Sequence, residues 1–342
     1  MKIIIDIGGC DYPDKMILGV CNAAKAHPDY QMVLVGDKEF IEQHLDKTVN
    51  NVIIEHAPDI ITNEDSPTRA IRQKPNSSLV RAISVLNESD DAIGFISGGS
   101  TGAVLTASTL LIGRIKGVHR AVLASLMPCA VDGKLVCIAD CGANVDCNPE
   151  FLPQFALMAH YYIKAVFGIE NPTVGLLSNG AEDKKGDERT KAAFPLIKAL
   201  PINFVGNMEA RYAMSGDYDI IVCDGFAGNV LVKSVEGTAK TVMKLVKQAM
   251  TSSFKAKMGA LLLKKSITAL KDKMDYHAYG GAAFLGLNKP VIKTHGSSNE
   301  VSTAASVNNL IRMHEHNTVE EIRIGISAIE AAAEAPSEGE KQ

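Results

Sequence analysis

Apolar residues in this chain recur in two rhythms. Short runs dense in Ile and Val alternate with longer stretches whose apolar positions fall three and four residues apart. The runs predict strands over residues 2–7, 32–35, 51–55, 92–96, 121–125, 135–138, 173–178, 203–205, 220–223 and 291–294. The stretches between them predict helices over 15–27, 78–87, 101–114, 150–167, 187–199 and 229–251. Several strand runs are apolar throughout rather than alternating, so helices must cover both faces of the sheet. That pattern predicts an α/β protein with a mostly parallel sheet. Residues 1–330 read as one α/β domain, with a division into two lobes as the alternative, and 331–342 read as a frayed tail rich in Ala, Glu and Ser. There is no internal repeat.

Composition narrows the function classes. At 342 residues, 46% of them apolar and 22% charged, the chain can bury a large core. Trp is absent and aromatics are 5%, which argues against a nucleic-acid reader that stacks bases. A net charge of −4 exerts no general pull on polyanions, so an anion site must be local. Seven cysteines follow an N-terminus, "MKIIIDIGG", that begins directly as a strand without a signal-peptide pattern, and the expectation is reduced thiols in a cytoplasm. Cys137, Cys141 and Cys147 lie close together, but they match no zinc spacing and Cys137 falls inside a strand run, so no metal is expected. No apolar run reaches the length of a membrane span.

Parallel sheets bind ligands beyond the carboxyl ends of their strands. Six loops at such ends combine Gly with Ser, Thr, Asn or Asp: "DIGGCDYP", "SGGSTGA", "DCGANVDCNPE", "SNGAEDKKGDE", "CDGFAGN" and "HGSSNE". One alone is an ordinary turn; six gathered on one rim predict an active site. In "SGGSTGA", Gly99, Ser100, Thr101 and Gly102 offer hydroxyls and helix N–H groups to an anion, or else Ser100 or Thr101 simply caps the helix. "HGSSNE" has the same form, with Ser298 as the cap and His295 as either a proton shuttle or a strand-end residue bonded to a carbonyl. "SNGAEDKKGDE" sets Lys185 before Gly186, where it either meets an anion or belongs to a solvated charge cluster. In "CDGFAGN" a strand stops at Asp224 and Gly225 and a helical pattern starts near Asn229; Asp224 either caps that helix or orders its neighbours.

These loops carry a family likeness. "DCGANVDCNPEFLPQFALMA", "GIENPTVGLLSNGAEDKKGDE", "VGNMEAR", "IVCDGFAGNVLVKSVEG" and "KMDYHAYGGAAFLGLNKPVIKTHGSSN" resemble the PlsX family of bacterial phosphate acyltransferases, nearly end to end from residue 1 to about 330. The resemblance implies a three-layer α/β/α fold of the isocitrate and isopropylmalate dehydrogenase type, shared with phosphotransacetylases, and a homodimer without cofactor. It implies transfer of a long-chain acyl group from acyl carrier protein to inorganic phosphate, the acyl phosphate then serving a membrane glycerol-phosphate acyltransferase. The chain departs from the family at Cys10, which stands in a first loop one residue shorter than usual, at Ser100 where Asn is common, and at Ala210 where Gly is usual. Two rivals share the fold: a phosphotransacetylase-like enzyme on short acyl-CoA, and an NAD(P)-dependent decarboxylating dehydrogenase, for which the acidic metal cluster is missing. A non-catalytic scaffold for carrier protein is the reading from another class.

The chemistry asks for a held phosphate and a stabilised oxyanion, since a thiolate of pKa near ~8.5 leaves readily. Lys185, matching the family's Lys-Gly, and Asn229 are the expected catalytic residues. Gly99, Ser100, Thr101, Gly102, Asp224, Gly225, Phe226, Gly228, His295, Gly296, Ser297 and Ser298 are expected to cradle the phosphate, with Asn229 and the amides around 225–228 aimed at the phosphate or at the reacting carbonyl. A basic patch of Arg114, Lys116 and Arg120 is a docking surface for the acidic carrier, or a solvated face. Between residues 251 and 273 six lysines stand against one aspartate. Two short helices broken near Gly259 are expected there, packing Leu263, Ile267, Leu270 and Met274 inward. Phe254, Met258, Leu261 and Leu262 would then face an anionic membrane surface. A dimer-interface or core helix pair with a solvated lysine face is the competing reading, and the whole implies a cytoplasmic enzyme peripherally attached to the membrane.

Overall fold

A computed structural model describes residues 1–274, 276–296 and 298–334. The strands are β1 (Lys2–Asp6), β2 (Gln31–Gly36), β3 (Val52–His56), β4 (Ala92–Ser97), β5 (Val122–Pro128), β6 (Leu135–Ala139), β7 (Val174–Ser178), β8 (Phe204–Glu209), β9 (Ile220–Val222), β10 (Ala282–Leu285) and β11 (Val291–Lys293). The helices are α1 (Pro13–Ala26), α2 (Lys38–His44), α3 (Pro67–Gln73), α4 (Ser78–Glu88), α5 (Thr101–Leu111), α6 (Phe151–Phe167), α7 (Glu188–Lys198), α8 (Gly225–Thr251), α9 (Phe254–Leu262), α10 (Lys264–Lys273), α11 (Glu300–Glu315) and α12 (Thr318–Glu334).

All these strands join one sheet in the order β3-β2-β1-β4-β11-β10-β5-β6-β9-β7-β8. One layer of helices, α1, α6, α7, α11 and α12, buries its apolar residues against one face. On the other face lie α3, α4, α5 and the first part of α8. Ile3 and Ile5 belong to the first core and Ile4 to the second, all three fully buried, which is why the run carries no polar alternation.

The sheet is parallel within each half but not across its middle. Three successive antiparallel pairings, β11 with β10, β10 with β5 and β5 with β6, reverse the direction of the second half. Ile5, Ile96, Ile292, Ala283, Ala124, Ala139, Val222 and Leu176 nevertheless lie in a single row. The strands of both halves end close to that row from opposite sides. Their loops therefore meet along a central line, and the expected single rim does not exist.

Other expectations change too. β10 was not legible, because "GGAAFLG" is too short and glycine-flanked to announce a strand. The helix expected from residue 229 begins at Gly225, since the Asp224 side chain accepts from the N–H groups of Phe226 and Ala227 and starts it a turn earlier. Gly259 and Ala260 lie inside α9, and the break falls at Leu263. Neither apolar strip of that segment packs inward: Leu263 is 52% exposed and Leu262 85%, and no residue of α9 or α10 is buried. The buried residues of α8 stop at Glu236, so its last four turns carry α9 and α10 away from the sheet. Lys273 returns the chain to the body through an ion pair with Asp132. Helix α12 continues to Glu334, past the expected start of the tail, and residues 335–342 lie outside the described residues.

Candidate active site

A cavity of about 510 Å³ follows the central line, over β5, β10 and β11 and between the starts of α5 and α8. That volume suits a small substrate with part of a longer one. Five of the six singled-out loops reach it. From one half come Gly9 and Asp11, then Gly98 through Thr101, then His295 and Gly296; from the other come Cys141 and Gly142, then Gly225, Phe226 and Asn229.

The mouth of α5 is open. Ser100 occupies its N-cap position but makes no side-chain cap hydrogen bond, which answers the capping alternative for that hydroxyl. The N–H groups of Thr101, Gly102 and Ala103 lack recorded partners among the described residues. The loop before them is held from below. Asp6, fully buried at the end of β1, accepts from Ser97 Oγ at 2.7 Å and from the Gly8 N–H at 2.9 Å. Ser97 Oγ in turn accepts from the Gly99 N–H at 3.1 Å. Burial pushes the Asp6 carboxyl up to about 6, although its hydrogen bonds to Ser78, Ser97 and Gly8 pull the other way.

The start of α8 is closed by contrast. The Gly225 N–H donates to Asn144 O at 2.7 Å, those of Phe226 and Ala227 to Asp224 Oδ1, and that of Gly228 to Asp224 O. The expectation that these amides face a phosphate or the reacting carbonyl is thus overturned: Asn144 O and Asp224 have satisfied them, and the other carboxylate oxygen of Asp224 pairs with Arg189 at 2.7 Å. Asn229, on the second turn, stays exposed on the cavity wall across from Gly142. Phe226, 64% exposed, and Val145, 54% exposed, give this side an apolar lip.

Asp140 organises the loop after β6. Its Oδ1 accepts from the N–H groups of Leu123, Gly142 and Ala143, and its Oδ2 from the N–H and the side-chain amide of Asn144. Burial raises its pKa against those bonds. Asn144 also donates to Ala121 O, so one buried carboxylate ties β5, this loop and the start of α8 together.

The remaining expected residues are dispersed. Gly102 is exposed and does not line the cavity. Ser298 is buried, its hydroxyl 3.3 Å from that of Ser302, and Asn299 rather than Ser298 caps α11 by accepting from the Ser302 N–H. Ser297 lies outside the described residues. Lys185 is exposed on the loop beside a second cavity, of about 320 Å³, lined by Ser178, Asn179, Asp187, Arg189 and Asp224 on the other flank of the α8 start. Sequence reading missed Asp140, Asn144, Arg189 and Lys293. The one available signal for Lys293 is a charge at the end of the apolar run "PVIKTHG". The seven cysteines are free thiols, and Cys137 is buried in β6 as its strand run implied.

An α/β/α sandwich whose central cleft joins an open helix N-terminus to an amide side chain and an apolar lip has room for an anion beside an apolar group. Comparison with known proteins gives the class, an acyltransferase. The fold is that of the EutD phosphotransacetylase from Staphylococcus aureus, matched at a TM-score of 0.58 and 14% identity over 93% of this chain and 94% of that one. Curated proteins called phosphate acyltransferase match far more closely. The one from Brevibacillus brevis is 45% identical over 94% of this chain and 96% of its own length, and one from Bacillus cereus is 45% identical over 90% and 92%. The family model described as "Fatty acid synthesis protein" matches residues 1–321. The chain belongs to that family, the PlsX acyltransferases.

Proposed function

We propose that this enzyme transfers a long-chain fatty acyl group from acyl carrier protein to inorganic phosphate, releasing acyl phosphate. The observation that carries the reading is the two-sided cavity, with polar N–H and hydroxyl donors at α5 and an apolar lip around Phe226 on the α8 side. The family relationship supplies the reaction class. In the step proposed, a phosphate oxygen forms a bond to the thioester carbonyl carbon. The C–S bond then breaks with its electron pair leaving on sulfur, and the thiolate takes up the proton that the attacking hydrogen phosphate gives up. In this reading Asn229, which lines the cavity, donates its amide N–H to the oxyanion, and the hydroxyls of Ser100 and Thr101 and the α5 N–H groups donate to the phosphate. Lys185 takes a direct part only if the loop over 179–187 moves toward α8.

Arg114, Lys116 and Arg120 are exposed, and the residue after Arg120 is tied to Asn144 next to Val145 on the lip. A carrier docked on this patch would therefore stand near the mouth of the cavity. The exposed apolar residues of α9, Phe254 at 79%, Met258 at 49%, Leu261 at 65% and Leu262 at 85%, stand among lysines and support contact with an anionic membrane surface. A peripheral enzyme there would deliver acyl phosphate to a membrane glycerol-phosphate acyltransferase. No helix among the described residues is long and apolar enough to cross a membrane. A homodimer is the assembly proposed with this reading.

The test is release of free thiol from acyl carrier protein and acyl-CoA donors with and without inorganic phosphate. Phosphate-dependent cleavage of the carrier-bound long-chain thioester is expected. Preference for short acyl-CoA would make the enzyme a phosphotransacetylase, and cleavage of neither donor would leave a scaffold.

A further inference from the structure

Lys293 ends β11 and forms part of the cavity wall, yet it is only 8% exposed. Lysines buried this far are almost always paired with a carboxylate, because an unpaired buried cation is costly to hold. Among the described residues Lys293 forms no ion pair within 4 Å. Its one recorded hydrogen bond goes to the carbonyl of Thr294, which leaves two of its three N–H donors for the cavity. Asp6, the nearest buried carboxylate in charge terms, is already occupied by Gly8 and Ser97, and Asp11 is exposed at the rim. Burial pulls the Lys293 ammonium down to about 8, and Asp6, Cys10 and Asp11 only partly restore it.

β11 pairs in register with β4, Lys293 opposite Ser97, three residues before the open start of α5. The buried ammonium and the unpartnered N–H groups of α5 thus line one side of one cavity, while the apolar lip lines the other. We propose that Lys293 is a phosphate-binding residue of the active site, holding the attacking phosphate between β11 and the start of α5. It follows that the phosphate enters on this side and the acyl chain on the side of Phe226. The proposal rests on the phosphate-acyltransfer reading for its choice of anion.

Titration calorimetry with inorganic phosphate tests it on the full chain. Lys293→Met keeps the length of the side chain and removes its charge. It should weaken phosphate binding at least about tenfold and raise KM for phosphate to match, with KM for the acyl donor nearly unchanged. Wild-type phosphate affinity in a folded Lys293→Met protein would overturn the proposal. A second measurement needs no variant: mass spectrometry of the unmodified enzyme treated with acetic anhydride. Inorganic phosphate should slow acetylation at Lys293; an unchanged rate there would also overturn it. The two readings fail separately. Phosphate that binds through Lys293 but promotes no thioester cleavage refutes the acyl-transfer reading alone. Phosphate-dependent cleavage with phosphate affinity indifferent to Lys293 refutes only this one.

Discussion

Asp140→Ala removes the acceptor of five hydrogen bonds at once, four from backbone N–H groups and one from the Asn144 amide. The three in the loop at Gly142, Ala143 and Asn144 lie on partly buried backbone, and water can reach some of them after the change. The Leu123 N–H cannot be rescued so easily, for Leu123 sits inside β5 and is 6% exposed. Each buried donor left unmet costs about 1–3 kcal/mol. Removing the carboxylate also relieves its own burial, which raises its pKa and offsets part of the loss. Two donors left dry, less that relief, give a net loss of about 3 kcal/mol. Spread over the unfolding entropy of a chain this size, about 0.7 kcal/mol/K, the midpoint should fall by about 4 °C. Asp140→Asn is the control. Both carboxylate oxygens accept, so an amide in either orientation points an NH2 at N–H donors, and this variant too should lose stability. Differential scanning calorimetry at pH 7 reads both. A midpoint for Asp140→Ala within 1 °C of wild type, or Asp140→Asn indistinguishable from wild type, would refute the view that this carboxylate holds the site together.

Asn229→Ala should keep its thermal midpoint, because the side chain is exposed on the cavity wall, and lose about 100-fold in phosphate-dependent thioester cleavage. The double variant Met258→Glu, Leu261→Glu should abolish sedimentation with anionic vesicles while leaving the oligomeric state and the reaction in solution unchanged; normal vesicle binding would remove α9 from the membrane contact. Asp6 gives a pH signature. Its folded pKa of about 6 lies above the ordinary 3.8, so the folded state binds more protons between these values. Its contribution is thus full below about pH 4 and is lost as pH rises through 6, a change of about 3 kcal/mol. Denaturant titrations at pH 4 to 7 should show Asp6→Asn gaining on wild type over that window, and a constant difference would contradict the assignment. Phosphate affinity should fall as pH rises through about 8, where Lys293 loses its proton, with Asp6, Cys10, Asp11 and Lys233 as the other titratable groups around it. Calorimetry at pH 7 and 9 checks this against Lys293→Arg, which stays charged.

Most elements of the two halves were legible in the sequence, because a strand covered on both faces must be apolar throughout, as Ile3, Ile4 and Ile5 are. The glycine and hydroxyl loops at strand ends were legible for a similar reason, since close backbone approach and helix starts demand those residue types. What the loops do was not. Whether an N–H is free depends on which distant side chain has already taken it. Asp224 and Asn144 O claim the amides of α8, whereas no side chain among the described residues caps α5, and no local pattern distinguishes "CDGFAGN" from "SGGSTGA" on that point. The reversal of the second half is likewise a property of pairing. It turns on the four-residue strand β10, which joins β11 to β5 and brings loops from opposite strand ends to one line. Lys293 shows the division most plainly: the sequence supplied a lysine after two apolar residues, and only the packing of β11 beside β4 buried it without an ion-pair partner among the described residues. Burial and partner are set by tertiary contacts, and the chemistry of a lysine depends on both.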